Sequence, residues 1–190
     1  RDRLRSRGLG DVYKRQDKII KAQRIAEKGF AHMLDFINVG RTEKEIQLEL
    51  DYYMLKNGAE ALSFDTIALS GSNTSLPHGV PSDKKVESGE FVLMDFGATY
   101  DGWHSDMTRT VCVGKPSDKM KSVYETVLNA QLSALDAVKA GMSGKELDKI
   151  ARDIITEAGY GDNFGHSLGH GVGVEIHESP YASPSREDIL

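Results

Sequence analysis

Apolar residues recur at three- and four-residue intervals in four stretches of the chain. Between residues 17 and 37 they are Ile19, Ala22, Ala26, Phe30, Met33 and Ile37, the pattern of one buried helix face. Thr42 and Glu45 form a capping box ahead of a second helix, with Ile46, Leu50, Tyr53 and Met54 on one side. Residues 118–139 repeat the first pattern through Met120, Val123, Val127, Ala130, Ala134 and Val138. Ser143 and Glu146 then open a fourth helix carrying Leu147, Ile150, Ala151, Ile154, Ile155 and Ala158. Shifted by 101 residues, Gly40 falls on Gly141, Thr42 on Ser143, Glu45 on Glu146, Ile46 on Leu147 and Gly58 on Gly159. Five coincidences at one offset indicate an internal duplication of a helix pair.

Strand-like sequence follows each pair: FDTIALS, EFVLMDFGA and WHSDMTRTVCV after the first, HGVGVEIH after the second. Hairpins followed by helices, without strict alternation, predict an α+β fold in which helices cover one face of a sheet. No low-complexity or proline-rich linker divides it.

Within that pattern Asp95 is out of place. It sits among Phe91, Val92, Leu93, Met94 and Phe96, where an unpaired carboxylate is costly. The chain turns near Tyr100, Asp101 and Gly102 and returns through Asp106. A two-residue loop at Tyr100 and Asp101 sets Asp95 opposite Asp106, with Cβ atoms about 5 Å apart. A loop at Asp101 and Gly102, the better turn dipeptide, leaves them diagonal at about 7 Å. Either way the two carboxylates share a face. Such a pair holds a proton or a cation between its members, unless it lies on the solvated face of an edge hairpin. Five of the six histidines fall between residues 78 and 177, and oxygen donors with imidazole suit a divalent cation.

FGHSLGHGVGVEIHE, residues 164–178, brings in His166, His170 and His177. Glycine at 165, 169, 171 and 173 argues against a helix and so against a helical metal pair. In LPHGVP, His78 stands on a loop flanked by two prolines, which restrict the backbone. His32 lies inside a helical pattern and reads as structural. Cys112, the single cysteine, reads as a small buried hydrophobe in VCV rather than a catalytic thiol.

At 190 residues and 39% hydrophobic the chain suits one soluble domain, and no apolar run is long enough for a membrane span. With one cysteine there is no internal disulfide, which points to a reducing, cytoplasmic setting. Composition shifts only at the start. The first sixteen residues hold six of the 24 basic side chains and two of the 29 acidic ones, and the remainder carries a net charge of −9. That segment reads as a disordered or non-native leader, 1–16, ahead of a domain over 17–190. The acidic body argues against a nucleic-acid partner.

In combination, LPHG, DFGAxYxGxHSDMTRT and GHSLGHGVGVEIHE resemble the pita-bread metallopeptidases, which include methionine aminopeptidase, aminopeptidase P and proline dipeptidase. The resemblance runs from about residue 17 to the end. It implies a pita-bread (creatinase/aminopeptidase) fold with an internal pseudo-twofold repeat, agreeing with the offset found above, and a dinuclear centre. Asp95 would bind one metal, Asp106 would bridge both, and His170 would be the imidazole ligand. His78, His166 and His177 would contact substrate or shuttle protons. The metals expected are two divalent ions, Mn²⁺ first and Co²⁺, Zn²⁺ or Fe²⁺ as alternatives, about 3.5–4 Å apart. HSDMTRT and VEIHE look most like the aminopeptidase P branch, which acts on Xaa-Pro peptides; methionine aminopeptidase, proline dipeptidase and a non-catalytic binding module are the alternatives. The family supplies two more ligands, both glutamates, from strands after the His177 region, and Glu187 comes too early to be one. This implies a C-terminally truncated, inactive piece of an enzyme with a peptide substrate, a homo-oligomer in its full-length form.

Overall fold

A computed structural model describes residues 2–190, with side chains from Val12 onward. The chain forms two compact units, Arg1–Pro116 with Gly173–Ile176, and Ser117–Val172 with His177–Leu190.

The first unit opens with helices α1 (Asp2–Phe36) and α2 (Glu43–Lys56). Six strands follow: β1 (Ala61–Leu62), β2 (Ile67–Ser70), β3 (Glu90–Phe96), β4 (Ala98–Tyr100), β5 (Trp103–His104) and β6 (Met107–Val113). They make two antiparallel sheets, ordered β2-β3-β6 and β1-β4-β5. Along β3 the pleat buries Val92, Met94 and Phe96, and these join Ala26, Met33, Ile46 and Leu50 from the helices in one core. Asp95 points the other way, as period-two alternation requires. The second unit holds α3 (Asp118–Ala137), α4 (Gly144–Glu157), β7 (Gly169–Gly171) and β8 (Glu178–Ala182). Its core is smaller, built on Ala130, Ala134, Ala151 and Ile155.

The duplication read from sequence is visible in the backbone. α2 and α4 begin and end 101 residues apart and each has 14 residues; α1 and α3 also end 101 apart. Both capping boxes form. Gly40 and Gly141, at φ 92° and 88°, occupy the left-handed region that glycine enters without steric cost. The likeness continues into the backbone bonds: Gly40 and Glu43 donate to the carbonyls of Val86 and Lys84, while Gly141 and Gly144 donate to those of Leu190 and Asp188. Thr42→Ala removes an oxygen that accepts from Glu45 N at 3.1 Å. It is expected to cost about 1 kcal/mol in urea unfolding, with Thr42→Ser restoring most of it.

Residues 2–16 are helical, continuous with the rest of α1, and residues 12–17 are all exposed. One expectation changes. Of HGVGVEIH only His170 and Gly171 are strand, as part of β7 (Gly169–Gly171). Residues 172–177 bend, with Gly173 N donating to Glu175 O at 3.0 Å, and the partner strand lies further on at Glu178–Ala182. Glycine density defeats the regular ladder that the apolar alternation suggests. Among the described residues no helix is long and apolar enough to cross a membrane.

Candidate active site

The hairpin turns at Asp101 and Gly102, both at positive φ (49° and 73°), the geometry of a primed turn that suits the twist of paired strands. The register follows from it: Tyr100 pairs with Trp103, Thr99 with His104, Phe96 with Met107 and Asp95 with Thr108. Of the two registers open from sequence, the diagonal one is therefore found. Asp106 lies two residues before Thr108, so alternation puts it on the face of Asp95, away from the core residues Phe96 and Met107. Thr108 Oγ1 donates to Asp95 Oδ1 at 2.8 Å, which orients one carboxylate. Both aspartates are half-buried.

A close crossing sits between them. A Cβ on Gly97 would stand 1.9 Å from the carbonyl oxygen of Ser105, so only glycine lets the two strands meet here. Ser105, 1% exposed, receives the amide of Ala98 on its hydroxyl at 3.0 Å.

His78 is exposed on a turn in the first unit. The segment bearing it is fixed by Glu43, a fully buried carboxylate. Its Oε1 accepts from Ser70 N (2.7 Å), Ser70 Oγ (3.1 Å) and Asn73 Nδ2 (3.0 Å), and its Oε2 from Ser82 N (3.1 Å) and Ser82 Oγ (2.7 Å). Both ends of the loop are thus tied to the first turn of α2. Burial alone would raise the pKa of Glu43, but the bonds from Ser82, Ser70 and Asn73 outweigh it and hold the carboxyl below its usual value. A depressed folded value contributes stability above the unfolded pKa of about 4.3, lost as pH falls through the folded value. Glu43→Gln is expected to lower stability at pH 7 by about 1.5–3 kcal/mol and to flatten the acid limb of a stability-against-pH curve. An unchanged acid limb would remove Glu43 from that account.

In the second unit His170 lies on β7 opposite Tyr181. Its Nδ1 is 2.9 Å from Gly171 O, and His166 Nδ1 is 2.7 Å from Ser167 O. A carbonyl only accepts, so each neutral ring keeps its proton on Nδ1 and its basic lone pair on Nε2. A backbone carbonyl on one ring nitrogen is the usual support of a metal-binding imidazole. The His177 ring centroid is 4.4 Å from that of His170. His166 and His177 are exposed and His170 half-buried.

The structure thus places Asp95, Asp106 and His78 in one unit and His166, His170 and His177 in the other. Among the described residues no three His, Cys, Asp or Glu side chains are gathered as a group able to hold a metal ion. The donor chemistry of Asp95, Asp106 and the His170 imidazole fits divalent cations; the number of donors is short of the five that the resemblance implies. Sequence reading missed Glu43, which reads only as a first-turn acid beside the capping Glu45. It also missed Asp148 and Arg152, which read as an ordinary i,i+4 ion pair on α4.

Residues 17–190 match metallopeptidase family M24, and the chain belongs to that family. It is 51% identical over 172 residues to the Xaa-Pro dipeptidase of Pyrococcus furiosus, covering 90% of this chain and 49% of that protein. Among solved structures it resembles the Xaa-Pro dipeptidase from Bacillus anthracis (TM-score 0.91, 48% identity, 93% of this chain and 50% of that one). It also resembles an X-Pro aminopeptidase from Thermotoga maritima (TM-score 0.90, 49% identity, 94% of this chain and 51% of that one). These likenesses give the pita-bread fold. The chain spans about half the length of the relatives it matches.

Proposed function

We propose that this chain is part of a metal-dependent peptidase that cleaves the bond preceding proline, and that its preferred substrate is the Xaa-Pro dipeptide. The observation that carries the reading is the hairpin face shared by Asp95 and Asp106, in a chain half identical to an Xaa-Pro dipeptidase. HSDMTRT and VEIHE favour the aminopeptidase P branch. The high identity to dipeptidases from two organisms moves the preference to the dipeptidase.

In this reading Asp95, Asp106 and His170 hold the divalent ions, Mn²⁺ foremost. When bound, the ions supply Lewis acidity at the scissile carbonyl. His166 and His177 bind the substrate and move protons; the lone pair on His166 Nε2 is the basic site its Nδ1 contact leaves. His78, held on the loop that Glu43 secures, contacts the peptide. The test is kcat/KM of the complete protein on an Xaa-Pro dipeptide and on an Xaa-Pro-Yaa tripeptide. A dipeptide preference of at least about tenfold, or 1.4 kcal/mol, is expected. The reverse preference would return the protein to the aminopeptidase branch, and no cleavage of either would end the reading.

A further inference from the structure

Residues 164–168 lead into β7 and carry His166, yet they lie in no strand. Helix α4 holds them instead. Arg152 Nη1 donates to Phe164 O at 2.8 Å and Nη2 to His166 O at 2.8 Å, while Asp148 Oδ1 accepts from Leu168 N at 2.9 Å. Every second residue of the segment is fastened to one side-chain pair. The pair is itself locked, Nε to Asp148 Oδ2 at 2.7 Å and Nη2 to Oδ1 at 3.0 Å. The Arg152 guanidinium also stacks 4.3 Å from the centre of the Phe164 ring.

Several features separate this arrangement from an ordinary surface ion pair. The Asp148 side chain is 1% exposed and that of Arg152 25%. A buried pair of this kind is a poor source of net stability, since apolar replacements are often as stable. Its geometry instead uses what only arginine has, a rigid planar fork of N–H donors, with Nε and Nη2 on Asp148 and two further N–H bonds, from Nη1 and Nη2, to two carbonyls. The segment needs such restraint. A Cβ on Gly165 or on Gly169 would meet nothing within 4 Å, so neither glycine is demanded by space. Their effect is to loosen the backbone on both sides of His166. Because His166 Nδ1 lies against the next carbonyl, that of Ser167, the ring direction follows the backbone that Arg152 grips.

We infer that Asp148 and Arg152 are positioning residues, a clamp that sets the placement of His166 and, two residues beyond Leu168, of His170. The catalytic consequence rests on the Xaa-Pro hydrolysis proposed above; the clamp does not.

The test uses the complete protein loaded with Mn²⁺. Arg152→Lys keeps the charge and loses the fork. It is expected to lower kcat on an Xaa-Pro dipeptide by about 10–100-fold, with KM changed less than about twofold and the thermal midpoint close to that of the parent. Hydrogen exchange at the Leu168 amide is expected to quicken at least about tenfold. Asp148→Asn keeps an oxygen toward that amide and should fall between parent and Arg152→Lys on both scales. Unchanged exchange in Arg152→Lys overturns the clamp, whatever the activity. Faster exchange with unchanged kcat, or a fall in kcat matched by a loss of folded protein, overturns its positioning role. Should the parent itself not cleave Xaa-Pro peptides, the functional reading fails while exchange still decides the clamp.

Discussion

Asp106→Asn in the complete protein is expected to cut kcat/KM on an Xaa-Pro dipeptide by about a thousandfold and to lower bound metal. The change swaps one oxygen for an amide nitrogen, so it removes a negative charge and a donor with little change in shape. A metal's contribution to charge stabilisation is several kcal/mol, and each 1.4 kcal/mol is a factor of ten in rate. Folding should survive. Asp106 is half-buried, lies outside both β5 and β6, and by alternation faces away from the core. The matched control is Asp101→Asn at the hairpin turn. Asp101 sits at φ 49°, where asparagine is well tolerated, and its bond to Lys18 at 2.6 Å is largely exposed and worth little. Asp101→Asn should keep the parent activity. A fall of less than about tenfold in Asp106→Asn, with metal content unchanged by elemental analysis, would take Asp106 out of the metal set.

What the sequence made legible was whatever short-range pattern encodes. Helix ends followed from Thr42, Ser143 and the two glycines after them, because caps and left-handed residues are local requirements. The shared face of Asp95 and Asp106 followed from an even loop, and only the register awaited the turn. The harder features depend on partners far along the chain. Glu43 gains its role from Ser70, Asn73 and Ser82, between 27 and 39 positions away, and nothing around it in TEKE marks it. Arg152 is similar: its spacing from Asp148 reads as a solvated helix pair, and only the fold brings the carbonyls of Phe164 and His166 onto it. HGVGVEIH failed for the opposite reason. Its alternation is local and strand-like, but the segment is gripped elsewhere, with His104 N donating to Gly173 O at 2.8 Å, and glycine offers no side chains to hold a ladder.

Expressed alone, residues 17–190 are expected to bind divalent metal weakly, to show no measurable Xaa-Pro hydrolysis and to bind an apolar dye; the completed chain should reverse all three. The repeat explains the dye. In the first unit Ala26 and Ile37 are buried in one core with Val92, Met94 and Phe96 of β3 and Met107 of β6. Their counterparts 101 residues on, Val127 and Val138, are 53% and 45% exposed, as are Leu132 and Leu135 at 49% and 61%. An apolar groove runs along the same helix, lined by Ala134, Leu135, Val138, Leu147 and Leu168. The bonds from Gly141 and Gly144 align Leu190 and Asp188 with Val86 and Lys84, which stand just before β3 in the first unit. By the resemblance, the counterpart of the β3 and β6 hairpin would lie in the half of the relatives' length that this chain does not cover. In the first copy that hairpin brings both the cover for the helices and the two carboxylates; by the resemblance, the second brings the two glutamate ligands. Adding it should bury the α3 face and complete the donors together, so dye binding should fall as metal stoichiometry rises. Equal turnover from the short and completed chains would show that Asp95, Asp106 and His170 are not three members of a five-ligand site.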